Sequence, residues 1–181
     1  MTTPGSRCDV PVINVDLFPT FLEAAGAPVP AGKVLDGESL VPLLKGGGGL
    51  KRQAIFWHFP GYLDKPVIRG RELDVQTGFR SRPVSVINKG GWKLHLYHEE
   101  WQLDGGRDKL ASNHAVELYD IANDTGERND LSNTNPAKRD ELLDDLFAWF
   151  KSTGALLPTT PNPEFDSEAR AATGKQRRKK S

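Results

Sequence analysis

The sequence predicts an α+β fold, a four-stranded antiparallel sheet packed on one C-terminal helix. Three observations carry this expectation. Residues 54–59, 84–88, 92–97 and 115–121 are short apolar or alternating runs bounded by turn-rich stretches, which is the pattern of strands. Lys89-Gly90-Gly91 between the second and third runs reads as a hairpin turn. Beyond the last strand, Leu142, Leu143, Leu146, Trp149 and Phe150 recur at helical spacing, and one amphipathic helix after antiparallel strands covers one face of their sheet.

Composition sets the scale. The chain has 181 residues, 37% of them hydrophobic and 27% charged, with 18 Gly and 13 Pro, so it has enough apolar material for a modest core with much loop around it. Lys+Arg and Asp+Glu both number 24, and this balance gives no support to a nucleic-acid partner. Cys8 is the single cysteine, which excludes an intrachain disulfide and a cysteine-based zinc cluster. No apolar run approaches the roughly 20 residues of a membrane span. The N-terminus has no apolar core of the kind a secretory signal needs, and the compartment is not legible.

In chain order, residues 1–8 read as an unstructured lead and residues 10–15 as a strand end or an extended connection. Asp16 is expected to cap a helix whose apolar face is Leu17, Phe18, Phe21, Leu22 and Ala25, with Gly26 ending it and Pro28 preventing its resumption. That helix needs a partner surface. Asp36 with Glu38 has the look of a metal pair, but a turn with a cap accounts for them better, because no further oxygen ligands cluster there. The glycines 46–49 are expected to mark a domain boundary.

The run Ala54-Ile55-Phe56-Trp57-His58-Phe59-Pro60 places one imidazole among bulky apolar side chains. Phe56, Trp57 and Phe59 are expected to hold this strand against the sheet and helix. Between residues 63 and 83 an irregular stretch carries Lys65, Arg69, Arg71, Arg80 and Arg82 against Asp64, Glu72 and Asp74. Guanidinium groups suit sulfate or carboxylate, since they grip paired oxygens; a solvated loop of mixed charge is the competing reading. His95 and His98 are read as neighbours on one strand, pointing to opposite sides and unable to share a metal. Residues 99–114 read as a second polar loop containing Trp101. Leu131 is an anchor, and Asn135 caps the closing helix with Pro136 at its first position and Gly154 after its end. The tail from residue 155 is expected to be extended, disordered and basic at its end.

The order of motifs resembles the formylglycine-dependent sulfatases. Val15-Asp16-Leu17-Phe18-Pro19-Thr20, Asp36-Gly37-Glu38-Ser39-Leu40 with Pro42-Leu43-Leu44, Phe56-Trp57-His58-Phe59-Pro60, Gly91-Trp92-Lys93-Leu94, Glu117-Leu118-Tyr119-Asp120 and Asn129-Asp130-Leu131 follow one another as in the last third of such an enzyme. The resemblance implies that residues 1–50 are a trailing edge of a large α/β alkaline-phosphatase-like domain, 51–154 a small C-terminal subdomain and 155–181 the tail. It implies sulfuric ester hydrolysis on a sulfated sugar or aryl sulfate, with calcium and a formylglycine made from Cys or Ser in Cys-x-Pro-x-Arg. Relatives are often periplasmic or secreted. That nucleophile motif does not occur here, because Cys8 is followed by Asp9, Val10, Pro11 and Val12. The chain alone is therefore expected to be inactive, with no catalytic and no metal-binding residue of its own and with its N-terminal catalytic domain missing. His58, Tyr62, Arg69, Arg80 and Arg82 are the residues that the resemblance offers as substrate contacts, with a packed, hydrogen-bonded role competing at His58. The alternative is a non-catalytic binding or interaction module derived from such an enzyme.

Overall fold

The computed structural model describes residues 2–61 and 82–160, and between them only the backbone of Val67–Ile68 and Arg71–Glu72. Tyr62, Arg69 and Arg80 therefore lie outside the described residues.

The sheet has the order β1-β4-β5-β6 and is antiparallel throughout: β1 is Ile55–Phe59, β4 Val84–Lys89, β5 Trp92–Tyr97 and β6 Val116–Asp120. Val67–Ile68 (β2) and Arg71–Glu72 (β3) form a separate two-residue ribbon, so the stretch expected to be irregular contains regular backbone. Helix α4, Pro136–Thr153, covers one face of the large sheet. Its caps follow the sequence: the Asn135 side chain accepts from Lys138 N–H, Pro136 opens the first turn, and Gly154 closes the helix at φ 64°. Leu142, Leu143, Leu146 and Phe150 meet Ile87, Leu94, Leu96 and Leu118 in the core. The α+β expectation holds.

Two expected details need correction. Phe56 stacks on Trp149 with ring centroids 4.9 Å apart, but Trp57 and Phe59 alternate to the opposite face and stay 38% and 42% exposed. Residues 99–114 are not simply loop. His98–Leu103 forms helix α3, its first turn carrying Glu99 and Glu100 where the helix dipole favours carboxylates, and Gly106–Lys109 adds a 3-10 turn. Leu131 anchors as expected: its N–H donates to the Leu118 carbonyl at 2.8 Å while Asp130 Oδ1 accepts from Leu118 N–H at 3.0 Å.

Residues 10–53 are built the other way round. Helix α1, Leu17–Ala24, buries Thr20 and leaves Leu17, Phe18 and Phe21 exposed. Asp16 makes no capping bond to this helix. Its fully buried carboxylate instead accepts from Ile13 N–H at 2.9 Å and Glu38 N–H at 3.0 Å, and takes paired bonds from the Arg52 guanidinium. The loop geometry dictates this: the chain returns so closely that a side chain at Gly37 would collide with the Val15 carbonyl, which puts Glu38 N–H within reach. The Glu38 carboxylate in turn holds Lys51 N–H and Arg52 N–H, each at 2.7 Å, a fastening rather than a metal site. Helix α2, Val41–Leu44, completes this segment; Leu40 N–H, just before it, donates to Thr20 Oγ1 at 2.9 Å.

Candidate functional site

Strand alternation and register put His58 opposite Ser85 on the face of the sheet turned to α4. A hydroxyl buried there needs partners, since an unpaired polar group away from water costs about 1–3 kcal/mol. It has two. Ser85 Oγ lies 2.7 Å from His58 Nδ1 and 2.8 Å from His98 Nε2. His58 Nε2 lies 2.9 Å from the carbonyl of Leu156, beyond the turn that Gly154 makes at the end of α4. The Trp149 and Phe150 rings of α4 pack around His58 at centroid distances of 6.3 and 5.3 Å. Burial, reinforced by the neighbouring His58, pushes the His98 imidazole down to about 4, so it is neutral at physiological pH.

The opposite face is charged. The Arg82 guanidinium lies 3.6 Å from the centre of the Tyr97 ring and pairs with Glu100 at 2.9 Å. Glu117 Oε2 accepts from both Tyr97 Oη (2.6 Å) and Tyr119 Oη (3.1 Å). Burial and this carboxylate raise both phenols above their ordinary range. Glu127, held in the left-handed region at φ 51°, reaches Lys93 at 2.6 Å and His95 Nε2 at 3.1 Å. Burial, aided by Lys93, lowers the His95 imidazole in spite of Glu127.

The two described members of the expected contact set are thus on opposite faces. His58 spends both ring nitrogens on the protein itself, and Arg82 is stacked and paired. They share one end of the sheet, because the chain leaves β1 just after His58 and returns to β4 just after Arg82. Ser85 and His98 were missed. For Ser85 the signal was available, a hydroxyl at an inward position of an alternating strand. For His98 it was hidden, because its strand ends at Tyr97 and the residue turns inward at the start of α3.

Among the described residues, no group of three or more His, Cys, Asp or Glu side chains is set to hold a metal ion. Cys8 is exposed, and its sequence neighbours do not fit the formylglycine motif. Nor, among the described residues, is any helix long and apolar enough to cross a membrane.

No family model matches the sequence. A sulfatase of Formosa agariphila is 32% identical over 156 residues, a match that covers 80% of this chain and 24% of that protein. This chain belongs to the sulfatase family. Human arylsulfatase A is likewise similar to the sulfatase chain, with 32% identity over 141 residues, 74% of this chain and 24% of the relative. A solved structure in complex with its substrate D-glucosamine-2-N,6-O-disulfate shares the fold at a TM-score of 0.52 and 24% identity, over 81% of this chain and 25% of that one. The sulfatase chain spans about a quarter of the length of these curated relatives.

Proposed function

We propose that this chain is the C-terminal part of a sulfatase, that it shapes a cleft for a sulfated sugar or aryl sulfate, and that it hydrolyses nothing by itself. The observation that carries the reading is the extent of the match, four-fifths of this chain against a quarter of the relative. Residues 1–50 are the trailing edge of the large catalytic domain and residues 51–154 the small subdomain, with Arg52 clasped to Asp16 across the boundary. Val12, Val15, Phe18 and Phe21, all at least 40% exposed, supply an apolar surface suited to the remainder of the enzyme. Calcium and the formylglycine belong to that remainder. His58 and Arg82 stand at one end of the sheet and bracket, in sequence, the stretch that carries Tyr62, Arg69 and Arg80. That end is the proposed cleft wall, and a sulfated ligand there is gripped by guanidinium groups.

Two measurements test this. The full chain, given an aryl sulfate and calcium, is expected to show no turnover; turnover abolished by His58→Ala overturns the proposed inactivity. Reading the coding sequence upstream of Met1 is expected to reveal an in-frame Cys-x-Pro-x-Arg. Its absence would favour a stand-alone binding module instead.

A further inference from the structure

The imidazoles of His58 and His98 are joined through one buried hydroxyl, and this arrangement fixes where every proton sits. The Leu156 carbonyl can only accept, so His58 Nε2 carries a proton. In neutral His58, Nδ1 is then a bare acceptor and must receive the Ser85 O–H. The serine oxygen is left to accept from His98, whose Nε2 therefore carries its proton and whose Nδ1 is bare. All three bonds run one way, from His98 through Ser85 to His58.

We propose that His98, Ser85 and His58 form a proton relay that latches the segment after α4 onto edge strand β1, closed with zero or one added proton and opened by a second. The first proton enters at His98 Nδ1. His98 passes its Nε2 proton to Ser85 Oγ, and Ser85 passes its own hydroxyl proton to His58 Nδ1. The charge thus comes to rest on His58, the more exposed of the two rings, while His98 ends neutral as the Nδ1–H tautomer. Every bond is kept and each is reversed in polarity except the one to Leu156, where the His58 donor becomes cationic and stronger. A second proton puts an N–H on each side of one oxygen, leaves the serine hydroxyl without an acceptor, and sets two cations on rings 5.6 Å apart. The depressed basicity of the buried His98 ring fits this order of events.

The side chains facing the relay are Ser85 from β4, His98 from α3, and Trp149 and Phe150 from α4; of these only His98 carries an ionisable ring. Glu99, next to His98 on α3, is the adjoining carboxylate and is also buried. The strap has a second attachment, Gln102 Nε2 to the Thr159 carbonyl at 3.3 Å, so latching orders several residues and not one.

The test is imidazole nitrogen NMR on the full chain across an acid titration. Before any proton is taken up, both rings are expected as Nε2–H tautomers. As the first proton is taken up, His98 is expected to switch to Nδ1–H without becoming charged, while the amides of residues 155–159 hold their positions. Those amides are expected to move to random-coil positions only as His98 itself takes a proton. In Ser85→Ala the tautomer switch is expected to disappear; its survival would mean that Glu99 or the field of His58 drives it, and the relay is overturned. His58→Gln keeps a donor for Leu156 but cannot titrate, so it is expected to hold the strap in place and freeze the His98 tautomer. A released strap in neutral wild type, or a His58 found as Nδ1–H, also overturns the proposal.

Discussion

Two regions of this chain are built on opposite plans. Residues 54–155 bury leucines, an isoleucine and a phenylalanine between sheet and helix, and keep most charge outside. Residues 10–53 bury a carboxylate and a hydroxyl, and turn Val12, Val15, Phe18 and Phe21 outward. The first region gains its stability from apolar area removed from water, the second from charge-assisted hydrogen bonds around Asp16. A buried pair is weak as net stabilisation, because desolvation offsets the attraction, but losing one partner is costly. The N-terminal segment is therefore specified by geometry, with its apolar side chains turned outward.

The predictions break or sharpen that contrast. The largest concerns Asp16→Ala, which strands the Arg52 guanidinium and the Ile13 and Glu38 N–H groups, a loss of about 3–5 kcal/mol. Hydrogen exchange is expected to show residues 10–53 opening while the denaturation midpoint of the sheet unit holds; a parallel shift of both would make them one cooperative body. Leu146→Ala, at a fully buried position, is expected to cost about 2–5 kcal/mol in chemical denaturation of the sheet unit. Acid should separate the regions next. The folded His98 is depressed from 6.5 to about 4, so its contribution is complete above 6.5 and is lost as pH falls towards 4, on the order of 3 kcal/mol. Burial raises the Asp16 carboxyl, but Arg52 and the backbone donors outweigh it and hold the group below its ordinary 3.8. The clasp is thus complete above 3.8 and fails only at lower pH, so thermal melts between pH 7 and pH 4 should weaken the sheet unit first. The smallest effect belongs to Phe18→Ser with Phe21→Ser, expected to change stability by less than about 0.5 kcal/mol per site while reducing self-association in light scattering.

What the sequence disclosed was what neighbouring residues decide among themselves. Asn135, Pro136 and Gly154 set the limits of α4 by local chemistry, and the alternation of Trp92, Leu94 and Leu96 marked β5. Alternation also separates Phe56 from Trp57, but it does not say which face the helix covers, since that depends on Trp149 far along the chain. Asp16 looked like a cap because its partner, Arg52, is 36 residues away. At the candidate site, His58 was visible as an imidazole in an aromatic run, whereas its partner Ser85 comes from β4, the His98 bonded to that serine from α3, and its second partner Leu156 from the segment after α4. Arg82 was visible as a cation, and only the fold showed it lying over Tyr97.

The fastening of Leu118 by Asp130 and Leu131 has a consequence for assembly. A sheet has two borders through which other chains can add strands, and here the β6 border is occupied at its centre by the protein's own backbone and side chain. Among the described residues, no strand lies beyond β1 on the other border. Copies of this chain that meet through their sheets are accordingly denied strand addition at the centre of the β6 border.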